Sequence, residues 1–420
     1  MRDRNVPRMR SAVFVVACLV ISGCSRDIPG SLPEAPAGTS SSSRQSASVS
    51  SARAGKSSYA IVYTFGNTPD GANPFAGLLV DGGALYGTTV GGGTGNGTVF
   101  ELTTAGKESV LASFGGSPNS GSAPYASPIR VKNAFYGTTA EGGPSGSGTV
   151  YTVTGSGKTT ILHTFGQTGD GASPYGTLLD VGGTLYGTTA IGGNSACYSL
   201  GCGTVFALRP GGDERIVHVF AGEPSDGSFP EAGFIEVNGA LYGTTRLGGT
   251  NKLGTVFKIE PSGKEKVLYS FQGGNDGYYP VGNLVDVHGE LYGTTTGGGA
   301  GSSGTIFKIT TGGKESVVYS FKGQPDGWQP LANLILVKGV LYGTTYEGGT
   351  NGLGTVFSVT TAGSESVLHS FAGGTTDGEY PQSGLVDVGG TLYGTTDWGS
   401  SGCVNPMGLS GCGIVFSLVP

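Results

Sequence analysis

The pentapeptide Leu85-Tyr86-Gly87-Thr88-Thr89 returns as FYGTT from Phe135 and as LYGTT from Leu185, Leu241, Leu291, Leu341 and Leu392. Its tyrosines, Tyr86, Tyr136, Tyr186, Tyr242, Tyr292, Tyr342 and Tyr393, follow one another at intervals of 50, 50, 56, 50, 50 and 51 residues. A near-constant period of this size marks a chain of repeated supersecondary units. What one unit builds decides the fold.

The 82 glycines and 21 prolines of this 420-residue chain approach a low-complexity level. The glycines, however, recur at fixed offsets beside apolar segments, as turn residues of a folded β-protein do. Around Tyr292 four strand-like segments are legible, 282–287, 290–295, 304–309 and 315–321, with tight turns within 286–289 and 310–314. One period is therefore a four-stranded antiparallel sheet. That is the size of a propeller blade and too long for a coil of a β-helix.

Two further landmarks recur seven times. GTVF and its variants begin at Gly97, Gly148, Gly203, Gly254, Gly304, Gly354 and Gly413, and a strand ends at Phe65, Phe114, Phe165, Phe220, Phe271, Phe321 and Phe371. The Phe-ending strand appears once before the first LYGTT and is missing after the last GIVF. A linear array would leave one strand unpaired at each end, whereas a ring lets the first strand complete the last sheet. The expected fold is all-β: a seven-bladed β-propeller of four-stranded blades over 58–420, closed by its N-terminal strand.

With LYGTT, the following Gly-Gly and GTVF in seven copies, residues 59 to 420 resemble the GloVer tandem repeats of bacterial surface proteins. The resemblance implies a secreted or surface propeller and no defined activity. The Trp-Asp signature of WD40 blades is absent.

The first 57 residues are of another kind. Arg2, Arg4, Arg8 and Arg10 precede an apolar run from Ala12 to Ile21, too short to span a bilayer, and Ile21-Ser22-Gly23-Cys24 follows. The pattern resembles a bacterial lipoprotein signal over 1–23, which implies cleavage before a lipidated Cys24; an ordinary secretory signal is the alternative. Ser25 after the cysteine favours an outer membrane where the cell has one. Residues 24–57, rich in Ser, Ala and Pro, have too little apolar surface to fold and form a flexible tether. The expected location is extracytoplasmic, anchored to the envelope by the lipid, with a monomeric head. Net charge is −6, and loss of the signal's four arginines and Asp3 leaves −9. No basic cluster remains for nucleic acid.

Strand direction sends the Asp-Gly-x-x-Pro connections and the LYGTT-to-GTVF loops to one face, where a site carried by a rigid scaffold belongs. The tyrosines that recur in every copy are assigned to structure. On the long-loop face the early copies carry small residues, and the later ones carry Phe229, Arg246, Tyr278, Tyr279, Trp328, Tyr346, Glu347, Tyr380, Asp397 and Trp398. Aromatics beside polar groups stack on sugar rings or anchor a protein partner; alternatively these rings cover their own loops and pack between blades.

Asp70, Asp170, Asp226, Asp276, Asp326 and Asp377 open the Asp-Gly turns, Ser120 replacing the aspartate in the second copy. They are turn formers first and weak candidates for cations in a central channel; no cofactor or metal is assigned. With Cys18 in the signal and Cys24 lipidated, Cys197 with Cys202 and Cys403 with Cys412 are expected as local disulfides, against a zinc site of four converging thiolates. His163, His218 and His369 stand on the Phe-ending strands and His288 in a hairpin turn, away from the long-loop face. They suggest neither a His-ligated metal nor a Ser-His pair.

A binding module for glycan or protein is the expected function. A lyase or glycosidase using carboxylates such as Glu347 and Asp397 is the first alternative, and a structural subunit of an envelope complex the second.

Overall fold

The computed structural model of the chain describes residues 57–66, 69–115, 120–401, 403 and 411–420. Cys24, the signal and nearly all of the tether lie outside them. From Gly55 to Pro420 the chain forms one compact unit: a β-propeller of seven four-stranded antiparallel blades. Blade 5 runs Val285–Val287, Glu290–Thr295, Thr305–Thr310 and Glu315–Ser320, from the axis outward. Its first strand is shorter than the expected 282–287. Gly282 instead lies against the next blade, where a Cβ would stand 2.9 Å from the Ala332 carbonyl oxygen.

The repeat's sequence is explained by how blades stack. In each blade the LYGTT glycine pairs with the aromatic residue of GTVF or GTVY, as Gly293 does with Phe307, and that ring lies over the bare backbone. A Cβ at Gly293 would meet the ring at 2.6 Å. Leucine, glycine and phenylalanine thus form one face of a blade, and tyrosine and the GTVF valine or isoleucine form the other, because side chains alternate along a strand. Between blades 4 and 5, Tyr242 and Val256 meet Leu291, Phe307 and Ile309. Equivalent apolar layers fill the other six seams.

Polar groups tie the seams as well. In every blade but the second, where the Thr138 hydroxyl has no partner, the threonine after the glycine sends its hydroxyl to a backbone carbonyl of the next blade, as Thr188 does to Ala232 (2.8 Å) and Thr344 to Ser383 (2.9 Å). In blades 1 to 6 the following threonine is buried against the threonine of GTVF or its variant, as in Thr295 with Thr305 at 2.7 Å.

Ring closure uses the same contacts. Ser58–Thr64 pairs antiparallel with Ile414–Val419 as the outer strand of blade 7. Thr395 donates to Ala76 O (3.1 Å) and Asn73 N to Cys412 O (2.8 Å), so the last blade grips the first with the bonds that join blades along the chain. The fold begins by Ser57, whose hydroxyl donates to Leu368 O.

Candidate functional site

On the long-loop face the two connections of a blade meet in a short ladder, such as Gly327↔Gly348 with Trp328↔Glu347, and Gly378↔Gly399 with Glu379↔Trp398. This confirms that both loop types emerge together. The residue third after each Asp, and after Ser120 in the second copy, has φ between 55 and 58° although none of the seven is glycine: Asn73, Ala123, Ser173, Phe229, Tyr279, Gln329 and Tyr380. Left-handed backbone is costly for such residues. Here two backbone hydrogen bonds hold it. The N–H donates to the preceding blade, as Tyr380 N does to Leu353 O at 2.9 Å, and the C=O accepts from the residue after LYGTT, as from Asp397 N at 3.3 Å.

This bracket fixes which side chains face one another across a seam. In the early seams the pairs are small. Between blades 4 and 5 Arg246 lies over the Tyr279 ring (5.7 Å), and between blades 6 and 7 the rings of Tyr346 and Tyr380 stand 4.9 Å apart. The ladders add Trp328 and Glu347 on one side of the second pair, and Trp398 and Glu379 on the other. Six of the ten residues expected from sequence thus gather at blades 6 and 7: Trp328, Tyr346, Glu347, Tyr380, Asp397 and Trp398. Phe229, Arg246, Tyr278 and Tyr279 sit at blades 4 and 5.

None of the ten is freely exposed. Phe229 (8%) and Asp397 (6%) are buried, and the other eight are half-buried. Burial pushes the Asp397 carboxyl up to about 7, against a Gln382 amide that donates to it at 3.3 Å. Burial likewise raises Glu347 and Glu379 above the ordinary carboxylate range. The cluster is a band of rings with carboxyl groups sunk between them. Glu231, 3.5 Å from Arg246, is also raised by burial, which outweighs the cation.

The six Asp residues stand at the outer edge of the blades and do not surround the axis. Each carboxylate closes its own turn: Asp326 accepts from Gly327 N (2.6 Å), Lys322 N (3.0 Å) and the Tyr319 hydroxyl (2.8 Å). In three copies histidine replaces that tyrosine, pairing His163 with Asp170, His218 with Asp226 and His369 with Asp377 at 3.1 to 3.2 Å. The strand position of these histidines suggested no partner. Their offset of seven or eight residues from each Asp was the available signal. His288 is exposed in its hairpin turn, with φ 56°.

Both expected disulfides are formed, Cys197–Cys202 and Cys403–Cys412, with Cα separations of 5.1 and 5.4 Å. The first loop carries Tyr198, 80% exposed, which the sequence reading did not single out. A ring inside a loop closed by two cysteines five positions apart has no interior to enter, and that was its signal. Also unread were Glu379 and the edge-to-face series Phe75, Tyr125 and Tyr175 on blades 1 to 3, with centroids 4.9 and 5.3 Å apart.

The family model of the Gloeobacter/Verrucomicrobia repeat matches residues 37–199 and 195–405. The chain belongs to that family. This Gloeobacter/Verrucomicrobia repeat protein has no match among curated proteins. Solved structures similar to it include a puromycin-hydrolysing peptidase of Mycobacterium tuberculosis, 13% identical with TM-score 0.48 over 80% of this chain and 52% of that one. PorZ, a surface component of the type-IX secretion system of Porphyromonas gingivalis, is 12% identical with TM-score 0.41 over 75% and 44%. The repeat protein therefore spans about half the length of each. A luciferin-regenerating enzyme is 12% identical with TM-score 0.40 over 85% and 95%.

Proposed function

We propose that this protein is a lipid-anchored extracytoplasmic binding module that recognises a glycan through the long-loop face of blades 6 and 7. The observation that carries this reading is the asymmetry of the ring. Equivalent positions hold Ala72, Gly91, Val90 and Asn73 in blade 1, yet Trp328, Glu347, Tyr346, Tyr380, Glu379 and Trp398 at blades 6 and 7. Half-buried rings present apolar faces to a sugar without collapsing, and carboxyl groups between them accept hydrogen bonds from its hydroxyls.

The test is retention of the unit Gly55–Pro420 on a panel of immobilised polysaccharides, with Trp328→Ala plus Trp398→Ala as the paired variant. Retention of the wild type by one polysaccharide and release of the folded variant supports the reading. Retention of neither, or of both alike, overturns it and directs the search to an envelope protein partner. Anchoring at Cys24 is tested separately, by transfer of Cys24→Ala from the membrane to the soluble fraction.

An enzymatic reading has one observation of its own, the Asp397 carboxyl held near 7, where a general acid works. It predicts turnover of the retained polysaccharide that Asp397→Asn abolishes while leaving retention intact.

A further inference from the structure

At the outer edge of each seam three positions converge: the residue two before the terminal Phe of one outer strand, the Asp of the connection, and the first residue of the next outer strand. The seven seams fill them differently. Tyr63, Asp70 and Glu108 meet at one, Tyr269, Asp276 and Glu315 at another, and Tyr319, Asp326 and Glu365 at a third. Ala112 and Ser120 leave one seam without a carboxylate from the connection. On either side of blade 3 the set is His163, Asp170 and Glu214, then His218, Asp226 and Glu265.

In these last two sets the ligand atoms lie within 4.8 Å of one another. His163 Nε2 is 3.2 Å from Asp170 Oδ2, and His218 Nε2 is 3.1 Å from Asp226 Oδ2. Glu214 Oε1 and Glu265 Oε1 are shut off from solvent with no hydrogen-bond donor, as are Glu108, Glu315 and Glu365 Oε1 at the tyrosine seams; what sets these two seams apart is the imidazole nitrogen that faces the carboxylates. A buried carboxylate oxygen without a partner is costly. Arg215, beside Glu214, turns its guanidinium to Pro261 O instead.

The third histidine shows what a satisfied seam looks like. Tyr59 takes the glutamate's place there, donates to Asp377 Oδ1 at 2.6 Å and stacks on His369 at 3.8 Å. The same His–Asp pair is closed by a phenol at one seam and faced by an orphan carboxylate oxygen at two.

We propose that the two His/Asp/Glu seams flanking blade 3 each bind a divalent transition-metal cation of the zinc class, tying blade 2 to blade 3 and blade 3 to blade 4. One imidazole nitrogen and two carboxylate oxygens form a borderline donor set suited to zinc. Tetrahedral bonds of about 2.1 Å place ligand atoms about 3.4 Å apart. The His–Asp distances already match, and the glutamate closes the remainder by a side-chain adjustment. Asp226 Oδ1 accepts from Gly227 N at 2.6 Å and Oδ2 from Ala221 N at 2.8 Å, so the backbone orients the carboxylate as an outer shell orients a ligand.

The test is cobalt(II) titration of the tag-free unit Gly55–Pro420 followed by visible absorption, with zinc content measured after dialysis. Two equivalents are expected. Glu214→Gln and Glu265→Gln should each remove one, and His369→Gln none. His163→Tyr plus His218→Tyr, which installs the residue native to Tyr269 and Tyr319, keeps a folded seam and should remove both. Fewer than two equivalents in the wild type, or two retained in the double tyrosine variant, overturns the proposal.

Discussion

At Gly293 the pentapeptide reveals why it is repeated so faithfully. The ring of Phe307 occupies the space of a side chain, with Leu284 2.8 Å from where a Cβ would stand. Gly293→Ala therefore forces ring and leucine apart, an overpacking that costs about 1–3 kcal/mol. A lowered urea midpoint with unchanged slope is the expected result. The tyrosine seams carry a second prediction. Burial, with Asp276 beside it, holds Glu315 up to about 8, and burial holds Glu108 and Glu365 up to about 7. Folded, these groups bind protons more tightly than unfolded. Their contribution to stability is complete below the ordinary glutamate range and is lost as pH rises through 7 to 8. The urea midpoint should fall between pH 5.5 and 8.5, and Glu315→Gln plus Glu365→Gln should flatten that fall. The glycine and phenylalanine were legible as landmarks because they recur. The glutamates were not, because their partners belong to a neighbouring connection that no strand periodicity reaches.

Each blade completes its neighbour, and only one completes itself from the far end of the chain. The phase of the Phe-ending strand predicted this, since a ring is the arrangement that leaves no edge unpaired. Removing 57–65 strips the outer strand from blade 7 and uncovers Ile414–Val419. The truncated unit is expected to melt earlier and to associate through the bare edge. A peptide spanning 57–66 should restore a monomer in size-exclusion chromatography. Melting identical to the full unit would show that the strand is not the clasp. What the sequence could not display are the two-residue ladders of the loop face, too short to carry a period, and the left-handed residue that brackets each seam. That residue is glycine in no copy, so composition gave no hint of its backbone. The bracket nonetheless decides that Tyr346 meets Tyr380.

Across the whole molecule, seven near-identical blades make a scaffold, and the departures from identity make the surface. The disulfide loop of blade 3, the Cys403–Cys412 bond of blade 7 and the rings of blades 4 to 7 all lie on the face where the longer connections emerge. Sequence comparison between copies located most of these residues, since a single site must break a repeat's symmetry. It did not reveal that Asp397 is buried or that Glu379 joins it, because both depend on the packing of loops. The two tryptophans of the chain, Trp328 and Trp398, both border the proposed glycan site. Intrinsic fluorescence is therefore a reporter built into it. Titrating the unit Gly55–Pro420 with soluble oligosaccharides from the panel should give a saturable change in tryptophan emission for one of them, abolished by Tyr346→Ala plus Tyr380→Ala. Emission that stays flat for every oligosaccharide, or saturates equally in that variant, would contradict glycan recognition at blades 6 and 7.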